Sequence, residues 1–319
     1  NQLGRMRSLE SSLYGEYDRS FGKRWQFNAG LRLVHYWFRD YQSINLEPRL
    51  SLAWKAGELS SFKFSYALTR QNMHLVGHSG LKLPTDLWLP AGLEQPSSFA
   101  HQLALGMARE FPSRMWELQV EGYYKQMGRI VNLRPGSSYL SLFLNGLENY
   151  NARQALTGGT GSSAGLEFLL RKKSGRLTGW ISYTLSWTRA RFPEINGGEP
   201  FWMDHDRRHD LSLVGVFQIS DRWKFSGSWT YGSGSPFTLP GGAVKYLVNG
   251  PNGNYYRRVL LNEGKNNLRG RAYHRLDISL ERTRVKKNTE RTWVFGLYNA
   301  YARPNPFLYD LQTFGNSEG

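Results

Sequence analysis

The chain has 319 residues, no Cys, 14% aromatic residues and a formal net charge of +16, and its mean hydropathy is −0.54. No run of about 20 apolar residues occurs, which argues against helical membrane spans, and without Cys there are no disulfides, thiolate metal sites or Cys nucleophiles. The positive charge favours an anionic partner, but Lys and Arg are scattered and form no nucleic-acid module, so no nucleic-acid partner is expected. A soluble sheet protein or a transmembrane β-barrel remains.

Twelve segments carry apolar residues at every second position, and a period of two predicts β-strands. They are 8–20, 24–38, 45–55, 60–72, 98–110, 115–127, 162–173, 176–190, 207–220, 222–233, 271–285 and 291–303. At about 3.3 Å per residue and a tilt near 40°, strands of this length outspan an apolar membrane band of about 25 Å.

The connections between these segments alternate in length. Short ones are 21–23, 56–59, 111–114, 174–175, 221 and 286–290, and longer ones are 39–44, 73–97, 128–161, 191–206 and 234–270. Alternate connections of an up-and-down sheet lie on the same side. The pattern is typical of outer-membrane barrels, which have short periplasmic turns and long extracellular loops.

Aromatic residues occur in pairs on four of the predicted strands, the first just after a tight turn and the second 8 or 12 residues later. The pairs are Trp25 and Trp37, Trp116 and Tyr124, Trp223 and Tyr231, and Trp293 and Tyr301. Two membrane-interface belts would produce this spacing. A soluble β-sandwich is the alternative, but its core aromatics would lie in the middle of strands.

Six segments resemble the C-terminal barrel of TonB-dependent outer-membrane receptors, especially the large receptors of Bacteroidota. They are LKLPTDLWLP (81–90), VEGYYKQM (120–127), GLEFLLRKKSGRLTGWISYTLSWT (165–188), DHDRRHDLSL (204–213), YHRLDISL (273–280) and YNAYARPNPF (298–307). The resemblance implies an all-β fold: an antiparallel up-and-down transmembrane barrel of about 22 strands around an N-terminal plug. Residues 1–319 are then expected to be one partial barrel domain of about twelve strands, without the plug domain and the closing C-terminal strand.

The function implied by the resemblance is TonB-dependent active transport of a large nutrient, such as a siderophore, oligosaccharide or peptide, across the Gram-negative outer membrane. The implied partners are outer-membrane lipid and lipopolysaccharide, the nutrient, and the TonB–ExbB–ExbD system, reached through the absent N-terminal part. Neither enzymatic activity nor a cofactor is expected. A passive channel or surface-binding barrel of about 12–14 strands is the alternative function.

The densest polar cluster is residues 205–210, which lie where a strand begins after a long loop. We interpret it as structural ion pairing, because two arginines between the histidines disfavour a metal ion. A second polar pair shares the parity opposite Leu276 and Ile278 and is expected to face the lumen. These residues are His205, Asp206, Arg207, Arg208, His209 and Asp210 in the cluster, and Arg275 and Asp277 in the pair.

Aromatic residues in the long connections are the candidates for ligand contact, since exposed rings stack on sugars, siderophores or peptides. They are Trp88, Tyr139, Phe143, Tyr150, Trp202, Tyr246, Tyr255 and Tyr256. The sequence equally allows that these rings pack one loop against another.

Overall fold

The structure is a computed structural model that describes residues 6–76, 87–135, 137, 155–250, 253–262 and 264–306. The described residues form nineteen strands: β1 (Leu9–Phe21), β2 (Trp25–Phe38), β3 (Tyr41–Lys55), β4 (Ser60–Gln71), β5 (Met73–Val76), β6 (Leu87–Pro90), β7 (Ser98–Glu110), β8 (Trp116–Leu133), β9 (Leu156–Lys172), β10 (Leu177–Arg191), β11 (Phe201–Trp202), β12 (His209–Ser220), β13 (Trp223–Gly232), β14 (Pro236–Phe237), β15 (Pro240–Gly250), β16 (Gly253–Asn262), β17 (Leu268–Arg269), β18 (Tyr273–Lys286) and β19 (Thr289–Leu297). One 3₁₀ turn, Asn196–Gly198, is the helical element among them, and no described helix could cross a membrane.

Twelve long strands form a single antiparallel path in chain order, β1-β2-β3-β4-β7-β8-β9-β10-β12-β13-β18-β19. This up-and-down order confirms the predicted fold class. Each pair is in register over most of its length; β1 and β2 pair without a shift from Leu9↔Trp37 to Phe21↔Trp25. Residues opposite each other across two strands point to the same face, so the register extends the two faces of each strand across the whole sheet.

The predicted alternation in connection length is wrong at one point. The connection expected over 39–44 is a two-residue turn, Arg39-Asp40, and β3 begins at Tyr41 opposite Phe38. Arg39 has φ 52°, and this left-handed conformation allows the chain to reverse within two residues.

The last predicted strand also ends earlier than expected, at Leu297 instead of residue 303. Asn299 and Ala302 both have φ 51°, and these positive values turn the chain away from the sheet. Tyr301 therefore lies after β19 and not on it, contrary to the prediction that it shares a strand with Trp293.

The long connections are not structureless. The connection after β4 contains the hairpin β5–β6, the one after β13 contains the hairpin β15–β16 and the small pair β14–β17, and β11 adds to the end of β10. The connection after β8 is shorter than predicted, because β8 continues to Leu133 and β9 begins at Leu156. All these additions lie at one end of the sheet, where the Arg39-Asp40 turn also lies. The other end, which we call the tight-turn end, carries the turns after β1, β3, β7, β9, β12 and β18.

Three glycines lie opposite one another on β10, β12 and β13, as Gly179↔Gly215 and Gly215↔Gly227. Gly179 has φ 151°, and a Cβ there would collide with the carbonyl oxygen of Val214. Gly227 has no such restriction, since the nearest atom to its Cβ would be Ile278 Cγ2 at 3.8 Å. Of these three glycines, Gly179 is therefore the one that has no room for a side chain.

We predict that Gly179→Ala destabilises the sheet by about 1–3 kcal/mol through backbone conformation, in addition to the steric clash. Gly227→Ala is the matched control and is expected to change stability by less than about 0.5 kcal/mol. The readout is the temperature at which the folded, heat-modifiable band is lost on a gel. Equal midpoints for the two variants would contradict the prediction.

Candidate functional site

The outward face carries a row of aromatic rings at the tight-turn end of the sheet. Trp25 stacks on Trp54 with ring centroids 5.7 Å apart, and Trp54 stacks on Phe62 at 5.6 Å. Trp116 and Trp293 continue the row and are 36% and 58% exposed. Rings exposed in a contiguous row suit an amphipathic membrane interface better than water.

A second outward row lies near the opposite ends of the strands. Trp37 and Tyr124 are 46% and 48% exposed there, and Tyr231 is half-buried. Sequence reasoning missed that the row also contains hydrogen-bonded Tyr–His pairs. The pairs are Tyr66 with His101 at 3.0 Å, Tyr183 with His209 at 2.9 Å, and Tyr301 with His274 at 2.7 Å. The sequence could have indicated these pairs, because each histidine occupies the same alternate positions as the apolar residues of its strand.

The inward face is polar, and its groups are paired across strands or along one strand. Lys224 Nζ lies 2.8 Å from Glu281 Oε1, the hydroxyls of Ser226 and Ser279 are 2.7 Å apart, and Arg275 Nη2 lies 2.8 Å from Asp277 Oδ2. This face therefore exposes hydrogen-bonding groups, while the opposite face exposes rings and aliphatic chains.

The connection after β4 packs against the inward face at the end of the sheet that carries the long connections, which we call the mouth. Tyr36 and Phe38 of β2 are buried beneath Ala91, and the Tyr36 hydroxyl donates to the Ala91 carbonyl oxygen at 3.4 Å. Ser97 donates to Asn72 Oδ1 at 2.6 Å, and Asn72 donates to Glu10 Oε2 at 2.9 Å. These contacts hold the connection at both of its ends.

His74 is the buried titratable group of this connection. Its Nε2 lies 3.3 Å from the Gln95 carbonyl oxygen and its Nδ1 lies 3.2 Å from Ser98 Oγ. Burial lowers the pKa of His74 below its ordinary value of 6.5, although hydrogen bonds to the carbonyls of Gln95 and Pro96 oppose the change. The neutral ring is therefore the form that the folded loop accommodates.

The predicted polar cluster is centred on Asp206, which is 1% exposed. Its carboxylate accepts from the Thr188 backbone N–H at 2.5 Å and from Arg208 at 3.4 Å, and it forms a close ion pair with Arg269. Arg269 lies 63 residues away on β17, so sequence proximity gave no sign of it. One carboxylate thus joins the loops before β12 and after β13 to the wall.

The other members of the cluster are arranged separately. Arg207 pairs with Asp210 at 2.9 Å on an exposed surface, His205 is exposed, and His209 bonds to Tyr183 on the outward face and not to a carboxylate. Among the described residues, no three His, Asp or Glu side chains come together as metal ligands.

Trp202 packs a loop against the wall. The guanidinium carbons of Arg189, Arg208 and Arg269 lie 4.0, 4.4 and 5.5 Å from its ring centre, and Asn266 donates to its carbonyl oxygen at 2.6 Å. Trp88, by contrast, is 52% exposed on β6. Of the remaining ligand candidates, Tyr139, Phe143 and Tyr150 lie outside the described residues; Tyr246 is on β15 and Tyr255 and Tyr256 are on β16, and their side chains lie outside the described part as well.

A pocket of about 660 Å³ opens at the mouth between the connections 91–97 and 192–198. Arg129, Arg191 and Glu94 line it together with Gly158 and Gly159. Gly159 needs to be Gly, because a Cβ would collide with the Phe192 ring and the Arg191 carbonyl oxygen. The volume is in the range of pockets that take a small-molecule ligand.

Lys265 is a second residue at the mouth whose pKa differs from its ordinary value. Its ammonium donates to Asn132 Oδ1 at 3.2 Å and lies 5.6 Å from the centre of the Phe201 ring. Burial lowers the pKa of Lys265, and the charge of Asp204 offsets part of that change. The residue joins the connection after β13 to the extended end of β8.

Comparison with solved structures places this geometry among known barrels. The FrpB iron transporter from Neisseria meningitidis matches with a TM-score of 0.62 and 11% identity over 93% of this chain and 41% of that one. BauA, the ferric preacinetobactin receptor from Acinetobacter baumannii, matches with a TM-score of 0.60 and 13% identity over 92% and 39%. The chain has the fold of part of the barrel of TonB-dependent receptors.

The ferripyoverdine receptor of the Pseudomonas aeruginosa outer membrane, bound to ferripyoverdine, has the same fold, with a TM-score of 0.59 and 12% identity over 93% of this chain and 35% of that one. Searches of protein families and of curated proteins found no match. The chain spans about two fifths of the length of the solved receptors that it matches. The predicted resemblance is thus confirmed at the level of fold, and the assignment to a Bacteroidota type stays a prediction.

We predict that Asp206→Ala releases both loops that meet at this carboxylate, at a cost of about 3–5 kcal/mol, because removing one partner leaves the arginines unpaired. Asp210→Ala is the control, and its exposed pair is expected to contribute about 0–1 kcal/mol. Hydrogen exchange of 192–206 and 264–270 measures the release. Equal protection in the two variants would contradict this role of Asp206.

We predict that the backbone amides of the connection 87–97 lose protection from hydrogen exchange as the pH falls below about 6.5. The folded pKa of His74 lies below the unfolded value, so the unfolded chain binds the proton first and the folded loop is destabilised on acidification. Hydrogen exchange at pH 5 and pH 7.5 measures the effect. His74→Gln should remove the pH dependence; a variant with an unaltered dependence would refute it.

Proposed function

We propose that this chain is barrel wall and extracellular loops of an outer-membrane transporter that imports a large nutrient by TonB-dependent active transport. The separation of an aromatic outward face from an ion-paired inward face across twelve consecutive strands supports this assignment most strongly. A soluble protein would gain nothing from exposing Trp25, Trp37, Trp293 and Phe295 in rows, whereas lipid would cover them.

The orientation follows from the loops. The turns at the tight-turn end face the periplasm. The Arg39-Asp40 turn and the connections that carry β5–β6, β11 and β14–β17 face outside, where the connections shape the mouth. Outer-membrane lipid contacts the outward face, with lipopolysaccharide beside the Tyr–His row. Because the chain spans about two fifths of the receptors that it matches, we assign the plug, the TonB box and the closing strand to sequence beyond residues 1–319.

The substrate class that the comparisons favour is an iron–siderophore complex, since FrpB is an iron transporter and BauA and the Pseudomonas protein are ferric-siderophore receptors. The pocket lined by Arg129 and Arg191 offers cations to an anionic chelate. Trp88, and the aromatic candidates beyond the described residues, stay proposed ligand contacts. An oligosaccharide or a peptide is the next substrate class to test.

Uptake by cells that carry or lack the gene tests the proposal, with iron-55 siderophores, labelled oligosaccharides and peptides supplied in turn. We expect import of one class to require both the gene and an intact TonB system. Import that survives loss of TonB would instead establish a passive channel. If no class is imported and the protein is found in the soluble fraction, the proposal fails.

Arg129→Glu tests the mouth pocket separately. An anionic chelate should bind at least about tenfold more weakly, since an attractive charge becomes repulsive. Glu94→Gln, on the opposite side of the pocket, is the control and should bind the chelate as well as the unchanged protein or better. Titration of ligand-induced fluorescence quenching measures affinity, and unchanged binding by Arg129→Glu would remove the pocket from the ligand path.

A further inference from the structure

The tight-turn end of the sheet holds most of the net charge of the chain. The segments 21–24, 55–59, 109–115, 171–177, 219–222 and 282–291 contain 15 Lys or Arg and 4 Asp or Glu, a net +11 of the +16 carried by all 319 residues. The excess is therefore concentrated at one rim and is not spread over the barrel.

Two inward-facing cations at this rim are paired with carboxylates. Lys173 Nζ lies 2.5 Å from Glu110 and 2.7 Å from Glu117, and these carboxylates raise the pKa of Lys173. Lys224 is paired with Glu281 in the same way. The inward side of the rim thus carries its own counter-charges.

Cations that point outward lie beside aromatic rings instead. Lys172 is 5.9 Å from the Trp116 ring centre, Arg176 is 5.5 Å from that of Phe217, and Arg282 is 5.3 Å from Trp223 and 6.0 Å from Trp293. Within the described part of the chain, none of these three cations belongs to an ion pair. Cations next to interfacial rings extend their charge toward a head-group layer.

The hairpin of β18 and β19 carries three arginines on its outward face. Arg284 lies directly opposite Arg291, and Arg282 is two residues from Arg284 on the same face. All three are exposed. Like charges directly opposite in a sheet destabilise it unless an anion lies between them. The hairpin carries three guanidinium groups on one face, flanked by Trp223 and Trp293, with no carboxylate paired to them in the described residues.

We propose that Arg282, Arg284 and Arg291 form a binding site for the phosphate of an acidic phospholipid in the leaflet at the tight-turn side. The inference rests on the proposed membrane location of the barrel. A lipid is favoured over a soluble polyanion because the site is on the outward face of the strands and not at the tip of the turn. Arg282 is level with Trp223 and Trp293, and the pair Arg284 and Arg291 lies two residues nearer the turn. Guanidinium groups suit phosphate because they offer paired donors.

The test uses the complete protein that the gene encodes, purified in micelles, with phosphatidylglycerol or phosphatidylcholine added as the lipid probe. Native mass spectrometry counts retained lipid, and thermal unfolding reports stabilisation. The unchanged protein should retain phosphatidylglycerol preferentially. Arg284→Gln with Arg291→Gln should weaken that retention at least tenfold, since each cation near an anionic surface contributes about fivefold.

A structural role alone predicts a different pattern. Without acidic lipid, the double variant should unfold at the same temperature as the unchanged protein or higher, because a like-charge pair is gone. Lys23→Gln with Arg114→Gln removes two exposed charges from the turn tips and should leave retention unchanged. Arg284→Lys with Arg291→Lys should restore most of it.

Three results would overturn the inference. The first is equal retention of both lipids by the unchanged protein. The second is retention by the double Gln variant equal to that of the unchanged protein. The third is a loss of retention in the turn-tip control equal to that in the double Gln variant, which would indicate a polyanion that binds from the periplasmic side. A protein that is absent from the membrane fraction of cells refutes the proposed location itself, so the two failures are distinguishable.

Discussion

Backbone hydrogen bonding is the constraint on which this structure depends. A strand surrounded by lipid has no water to satisfy its N–H and C=O groups, so each must pair with a neighbouring strand. The continuous path from β1 to β19 meets that requirement on both sides of its ten inner strands and on one side of β1 and β19, with residues in register over most of each pair. Once register is fixed, the face on which each side chain lies is also fixed, because every second side chain faces outward and its neighbours face inward.

The types of side chain then differ between the two faces of the sheet and between its two ends. Outward residues are rings and aliphatic chains between a tryptophan row and a Tyr–His row, while inward residues pair their charges across strands, as Lys224 does with Glu281. At the mouth, a few buried polar groups carry much of the loop architecture. Asp206 joins two loops to the wall through arginines, and Asn266 donates to Trp202 and Asp204 at 2.6 Å each. The mouth is held by such contacts because the long loops have little apolar core of their own.

The sequence predicted the strands well because alternation is local: each of the twelve predicted segments overlaps a strand of the main sheet. It failed where the determinant was a backbone angle, as at Arg39, or a partner distant in sequence, as with Asp206 and Arg269. Arg39-Asp40 lacks the Asn-Gly or Asp-Gly signature of a two-residue hairpin, so the turn was not readable. The hairpin β15–β16 lies in a stretch rich in Gly, Pro and Asn, and this composition concealed its pairing.

The same reasoning explains the ligand candidates. Aromatic content alone could not separate Trp202, which packs between arginines, from Trp88, which is exposed, because the arginines come from β10, from β17 and from the residue before β12.

The central claim is that alternate residues of one strand face lipid and water. The chain has no Cys, so single Cys substitutions along β13 report on their own environment. In membranes, Cys at 225, 227, 229 and 231 should react with a lipid-soluble maleimide, and Cys at 224, 226, 228 and 230 with a water-soluble one. Reactivity that rises and falls without a period of two would contradict the account.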